Sequence, residues 1–272
     1  MDILIRMKIY ILFLLLIGSL SAVSETYYIK TTGNDLNTGL SDGQAWTSIA
    51  KVNSFSFADN DSVLFNGGDI WSYSGAVSPY RLSPTSDNIY IGSYGTGQAE
   101  FSSWVEIPNW TVYGNWSLYS TNVWRISLVN FPNRLYINGK DSYRSANLVG
   151  INSTNKWRWE SNYLYVYATS NPSIFYNSIK SGSEQSRTIA ISKSGITLEN
   201  IKVSSGNTCV LISASNTTIK NCTIGNRVNL GGIQIVCETL GDSIDNVHIY
   251  DNILATGDSL TYTYLKDPHS TG

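Results

Sequence analysis

Ile189-Ala190-Ile191 followed by Ile196-Thr197-Leu198-Glu199-Asn200-Ile201-Lys202-Val203 returns as Val210-Leu211-Ile212 and Thr217-Thr218-Ile219-Lys220-Asn221-Cys222-Thr223-Ile224. Five pairs share one offset of 21 residues: Ile189/Val210, Ile191/Ile212, Leu198/Ile219, Ile201/Cys222 and Val203/Ile224. A fixed period of that size describes one structural unit stacked on copies of itself. A third copy keeps the parts and stretches the spacing. Ile233-Gln234-Ile235 follows Val210-Leu211-Ile212, and Ile249-Tyr250-Asp251-Asn252-Ile253-Leu254 follows Ile219 to Ile224, with the extra residues Val236 to Asn246 between strands.

Inside each run apolar and polar residues alternate and β-branched residues abound, which reads as strand; no run is long enough for a helix. A leucine-rich repeat has a similar period, but its Leu-x-x-Leu-x-Leu frame is absent. A sandwich of ordinary hairpins would supply turn signals without a constant offset. The pattern therefore predicts an all-β solenoid, a right-handed parallel β-helix whose coils stack in register. In that frame Asn252 falls where Ile201 and Cys222 point inward, so its amide is expected to pair with neighbouring backbone.

The runs Ile219-x-Asn221-Cys222-x-Ile224 and Ile249-x-Asp251-Asn252-x-Leu254 resemble the coil motif of secreted, pectate-lyase-like right-handed β-helix proteins. The N-terminal region resembles that group too, in Tyr27-Tyr28-Ile29, Gly33-Asn34-Asp35-x-Asn37-x-Gly39-Leu40-Ser41, Ala45-Trp46-Thr47-Ser48-Ile49 and Asp61-Ser62-Val63-Leu64-Phe65-x-x-Gly68-Asp69-x-Trp71. The resemblance implies an exported protein related to polysaccharide lyases, which cleave an acidic polysaccharide by β-elimination. It also implies a substrate groove along one parallel sheet, with calcium or a basic residue on the uronate carboxylate. Two other readings remain open, a glycoside hydrolase of the same fold and a non-catalytic, adhesin-like glycan binder. None of the group's catalytic residues has a matching position here, and fold and site are separate matters.

The ends of the chain add to this. Arg6 and Lys8 precede the apolar run Ile9 to Ile17, and small residues follow at Ser19, Ser21, Ala22 and Ser24. That order is a secretory signal peptide, residues 1–24, cut after Ser24 or alternatively after Ser21. As an anchor the run is short of the roughly 20 residues a bilayer needs, so no membrane association is expected after cleavage. A secreted, periplasmic or cell-surface location follows. The formal charge of −2 and scattered basic residues exclude nucleic acid as an expected partner, and a monomer is expected. At the other end the sequence stops at Asp267-Pro268-His269-Ser270-Thr271-Gly272, just after the third coil. A solenoid ending there would leave a bare strand edge, so the coil region reads as incomplete.

Between these ends three regions are expected. Residues 25–103 hold an N-terminal cap and the first coils, with Ala45, Trp46, Ile49, Ala50 and Val52 at helical spacing as a short capping helix. Residues 104–180 carry six of the eight tryptophans and lose the 21-residue frame. Here Leu135-Tyr136-Ile137-Asn138-Gly139 signals a hairpin, and the region reads as an antiparallel β insertion whose aromatics either fill a core or stack on sugar rings. Residues 181–272 hold the clear coils.

Candidate chemistry gathers around the third coil. Glu238, Asp242 and Asp245, with Asp251 beside them, offer hard oxygen ligands for Ca2+. Lys266 and Arg227 are candidate bases, and His269 lies near Lys266 in sequence. The alternative reading of all of them is solvated loop residues. Among Cys209, Cys222 and Cys237, Cys222 is expected as a small buried hydrophobe, and a Cys209–Cys237 disulfide is an open option. Mass spectrometry of the extracellular protein will find a new N-terminus between Ala22 and Glu25; an intact Met1 would overturn the export reading.

Overall fold

The structure, a computed structural model, describes residues 23–72, 81–132, 134–182, 187–204, 208–225, 231–237, 243–254 and 260–263. Residues 1–22 of the leader expected at 1–24 therefore lie outside the described residues. So do Arg227, Glu238, Asp242, Lys266 and His269.

Three parallel sheets surround one apolar core. Sheet A stacks Thr26–Ile29, Ser62–Asn66, Tyr90–Tyr94, Thr197–Glu199, Thr218–Lys220 and His248–Tyr250 in that order. Sheet B stacks Ile70–Ser72, Ala99–Ser102, Ile201–Ser204, Thr223–Ile224 and Ile253–Leu254. Sheet C stacks Arg187–Ile191, Thr208–Ile212, Gly231–Val236 and Leu260–Thr263, with Leu82 bridged to Ile189 ahead of them. The chain visits A, B and C in turn, and each visit lies beside the previous one.

The pairing register reproduces the repeat read from the sequence. Ile189 pairs with Val210, Ile191 with Ile212, Leu198 with Ile219 and Val203 with Ile224. The stretched copy keeps the frame, since Ile219 pairs with Ile249 and Val210 with Ile233. Stacking places like on like: Val63, Ile91, Leu198 and Ile219 form one fully buried column, and Phe101, Val203 and Ile224 another. Asn252 completes the column above Cys222 as expected. Its Oδ1 accepts from the Cys222 amide at 2.9 Å, and its Nδ2 donates to the Ile219 carbonyl at 2.9 Å. Cys222 is buried, and burial pushes its thiol up to about 11, so it behaves as a packed hydrophobe. Cys209, Cys222 and Cys237 form no disulfide among the described residues.

Each rung must turn sharply, and the turns recur at fixed places. Asn60, Asn88, Gly195, Asn216 and Asn246 all have positive φ, and each sits two residues before a strand of sheet A. Asparagine and glycine tolerate this left-handed conformation because the amide can bond locally and glycine lacks Cβ. The side chains also form a ladder: Asn246 Nδ2 donates to Asn216 Oδ1 at 2.8 Å, and Asn216 Nδ2 to Ser194 Oγ at 3.1 Å. A second column of positive φ, Asn200, Asn221 and Asp251, marks the turn from sheet A to sheet B.

The N-terminal helix is shorter than expected. Ala45 and Trp46 are extended, Trp46 bridges Ile29, and the helix runs Ile49–Ser54 with the Ser48 side chain capping the Lys51 amide. Ile49 and Val52 face the core. Trp46, Tyr27, Phe55 and Phe57 cluster over the first rung, with Tyr27 and Trp46 stacked at 5.1 Å.

Between the sheet B strand Ala99–Ser102 and the sheet C strand Arg187–Ile191 lies an eight-stranded sheet running from Trp104–Glu106 to Ile179–Gly182. Its pairs are antiparallel except Tyr143 and Arg144, which run parallel to Lys156 and Trp157. Asn138 and Gly139 both have positive φ and join Ile137 to Lys140, the two-residue hairpin the sequence announces. Trp110, Trp116 and Trp157 fill a separate core with Leu135, Leu164 and Ile179, so the core-filling alternative holds for these rings. The rungs ignore the interruption: Tyr90 pairs with Thr197, and Ser93 Oγ donates to the Asn200 carbonyl 107 residues away at 2.6 Å.

Replacing Ile219, which is fully buried, by Asp places an unpaired carboxylate in the column and will remove several kcal/mol, enough to unfold a marginal domain. Lys220→Gln, one residue along on the outer face, will leave the urea midpoint almost unchanged. Equal tolerance at both positions would show that the column is misread.

Candidate functional site

Sheet C is the face bordered by the variable segments. The passage from sheet A to sheet B takes one to four residues in each of the five rungs that have a described strand in both. The passages on either side of sheet C vary far more: three residues between Ser204 and Thr208, eleven between Val236 and His248, and the whole eight-stranded sheet between Ser102 and Arg187. Loops of varied length on a rigid scaffold are where sites are usually built.

The outward positions of sheet C change along the stack. Ala190 pairs with Leu211, and Leu211 with Gln234. Ala190 and Leu211 are both buried, so this face is closed to solvent at its first two strands. Gln234 is half-buried and its Oε1 accepts from Thr208 Oγ1 at 3.4 Å. A polar, partly open floor thus begins at the third strand. The candidate residues follow by connectivity. Arg227 precedes Gly231–Val236, Glu238, Asp242 and Asp245 follow it, and Lys266 follows Leu260–Thr263.

Of these residues only Asp245 is described. It is exposed, its Oδ2 accepts from Ser243 Oγ at 2.8 Å, and its amide donates to Ser215 Oγ at 3.0 Å. It therefore pins the return toward sheet A while keeping its carboxylate in solvent. Asp251 occupies the left-handed turn and is exposed, and His248 is an exposed strand residue. Among the described residues no group of three His, Cys, Asp or Glu side chains could hold a metal ion.

The outer face of sheet A carries a polar ladder that sequence reading missed. Glu199 Oε2 lies 3.1 Å from Lys220 Nζ, and its Oε1 accepts from Asn221 Nδ2 at 3.1 Å. Partial burial pushes the Glu199 carboxyl up, but the bonds from Lys220, Asn221 and Tyr90 outweigh that and hold it below its usual value. Burial and the Glu199 charge push the Tyr90 phenol up to about 12. An ionised, fully partnered carboxylate cannot donate a proton, and a lysine committed to it is a poor base. The outward, period-2 positions Tyr90, Glu199 and Lys220 were the only available signal.

The N-terminal motif is structural. Asp35 accepts from the Thr47 and Ser48 amides at 2.9 and 3.0 Å and from Ser48 Oγ at 2.5 Å. The Trp46 indole donates to the Asn37 carbonyl at 2.9 Å, and a Cβ on Gly39, whose φ is +80°, would meet the Trp46 ring at 2.6 Å. Asp61 accepts from the Glu25 and Ala58 amides, and the Trp71 indole donates to the Thr47 carbonyl at 3.1 Å while its ring stacks on Phe101. These residues hold the cap on the first rung and touch no site.

No protein-family model matches the chain, and no curated protein does. Solved structures similar to it include the GH136 lacto-N-biosidase from Eubacterium ramulus, at 16% identity and TM-score 0.46 over 85% of this chain and 34% of that one. XylC in complex with xylose is similar at 13% identity and TM-score 0.46, over 84% of this chain and 50% of that one. Pectate lyase Pel9A is similar at 10% identity and TM-score 0.40, over 79% and 39%. The chain thus spans between a third and a half of the length of these three proteins. Among the described residues no helix is long and apolar enough to cross a membrane.

The Asp35 bonds carry a pH dependence. Burial pushes its carboxyl up, but the Ser48 and Thr47 bonds win and lower it below 3.8. A depressed folded value means the contribution is complete above the ordinary carboxylate value and is lost as pH falls through the folded one. Asp35→Asn will lower stability at neutral pH and flatten the acid limb of a stability profile below about pH 4. An unchanged acid limb would exclude this role.

Proposed function

We propose that the chain is an exported, monomeric, right-handed parallel β-helix protein that binds an acidic polysaccharide along sheet C and cleaves it by β-elimination. One coincidence carries the reading. The half-open part of sheet C begins at Gln234, and Arg227, Glu238, Asp242, Asp245 and Lys266 all fall in the segments entering or leaving that strand and the next. A long glycan needs an extended floor with walls, and parallel strands bordered by variable segments supply both. The N-terminal resemblance to polysaccharide-active β-helix proteins supports the substrate class.

In this reading Lys266 or Arg227 takes the proton from the carbon beside the uronate carboxylate. The electron pair forms the new double bond, and the glycosidic oxygen leaves with its own pair and gains a proton. Hard oxygen donors at Glu238, Asp242 and Asp245 suit Ca2+, which when bound would neutralise the uronate carboxylate and make that proton acidic. Glu199 and Lys220 take no part, because each already satisfies the other.

Incubation of the exported protein with pectate, alginate and chondroitin sulfate tests this. Unsaturated uronate absorbing in the ultraviolet will appear with at least one polymer, will fall on chelation, and will fall by at least an order of magnitude in Lys266→Ala or Arg227→Ala. New reducing ends without absorbance would replace elimination by hydrolysis. Binding without cleavage would assign a purely glycan-binding role.

A further inference from the structure

The eight-stranded sheet carries an arginine whose surroundings differ from those of its neighbours. Four arginines lie in this sheet region. Arg134 pairs with Asp141 at 2.7 Å, and Arg158 pairs with Glu160 at 2.6 Å while also donating to the Ser145 and Ala146 carbonyls. Arg144 lies over the single ring of Phe131 at 4.6 Å. Arg125 lies near two tyrosines, 4.7 Å from the Tyr163 ring and 5.7 Å from the Tyr119 ring. Its Nε donates to Ser117 Oγ at 3.2 Å, and no ion pair among the described residues uses it.

The backbone builds this arrangement. Arg125 pairs across the sheet with Tyr165 on one side and Ser117 on the other, and Tyr163 pairs with Ser127. Tyr119 falls at a register shift between Leu118 and Ser120. Such an irregularity re-aims a side chain out of the strand's alternation. The ring meets Tyr165 edge-on at 5.1 Å, and Tyr165 is itself locked among Val123 and Ile151. The strand Ser117–Ser120 is the sheet's edge, all four of its residues are exposed, and Tyr119 remains 47% exposed. A rigid phenol and a guanidinium are thus presented together to solvent.

We propose that Tyr119, Arg125 and Tyr163 form a second glycan-binding site, which takes an anionic sugar residue. The planar guanidinium matches a carboxylate or sulfate with paired N–H donors, and its approach to the two rings and its bond to Ser117 hold the fork in place. A sugar ring lays its C–H face on an exposed tyrosine, which offers a flat apolar surface with a hydroxyl at its tip. An acidic glycan supplies both features in one repeating unit, whereas a neutral glycan leaves the guanidinium unmatched. The ligand class rests on the function proposed above, but the site does not depend on elimination chemistry. By connectivity the sheet is inserted where the chain passes from sheet B to the first strand of sheet C, two strands before the one that carries Gln234.

Affinity electrophoresis of the exported protein in gels holding pectate, alginate, chondroitin sulfate or neutral dextran tests the proposal. Retardation is expected in at least one anionic gel and not in dextran; carboxylate and sulfate polymers tell the two anion types apart. Arg125→Gln and Tyr119→Ala will weaken retardation on the order of tenfold. Lys202→Gln, a half-buried cation on sheet B that pairs with Glu100 at 2.8 Å, will not. Far-ultraviolet circular dichroism identical to the parent protein keeps a folding defect from passing as a binding loss. Undiminished retardation in both variants, or no retardation of the parent protein by any anionic polymer, would overturn the site. Ultraviolet product release from short oligosaccharides is read separately: its absence with intact Arg125-dependent retardation would remove the elimination reading and leave this site standing.

Discussion

Everything in the coil region depends on one constraint, that a side chain must sit directly over its counterpart one rung away. Parallel ladders fix the backbone spacing, so a column such as Val63, Ile91, Leu198 and Ile219 can only be filled by residues that tolerate their own kind as neighbours. β-Branched aliphatics meet that requirement on a pleated surface. The left-handed turns belong to the same constraint. If one rung turned a residue early, every inward side chain after it would face outward. Asn60, Asn88, Gly195, Asn216 and Asn246 keep the entry to sheet A in phase, and the amide ladder from Asn246 to Ser194 ties consecutive turns together.

This is also why the paired parallel strands were legible in the sequence. A stacking rule writes itself into the chain as a constant offset, and the pairs 21 residues apart are the partners in the ladder. Even the exception was readable: Asn252 breaks the aliphatic column, and the only comfortable outcome for an amide there is bonding to adjacent backbone. The cap was less legible. Ala45 and Trp46 share helical spacing with Ile49 and Val52, yet the indole satisfies its N–H at Asn37 and draws Trp46 into an extended bridge with Ile29. Tertiary bonding overrode the local pattern.

The site was legible only as a neighbourhood. Outward positions answer to solvent and ligand, not to a stacking rule, so they leave no period. Glu199 and Lys220 look in sequence like an acid and a base, and the structure spends them on each other. Arg125 was invisible because its significance lies in a register shift at Tyr119 and in two rings brought near it with no ion pair among the described residues, neither of which a linear reading contains. The charged residues beside Gly231–Val236 were singled out by position in the stretched copy, and the passage from buried Leu211 to half-buried Gln234 gives that position a physical meaning.

The way the eight-stranded sheet joins the coils has a further consequence. Its first and last strands, Trp104–Glu106 and Ile179–Gly182, are paired with each other, Trp104 opposite Gly182. The chain leaves and re-enters the stack through a neck only one strand spacing wide, about 5 Å. To the coils, 77 intervening residues look like a tight hairpin. Closure of that long detour is therefore held inside the inserted sheet, by its own core and ladder. The unit is modular: it can lengthen, shrink or be exchanged without moving any residue of the 21-residue frame, which lets an accessory surface evolve at a rate set by its ligand and not by the scaffold.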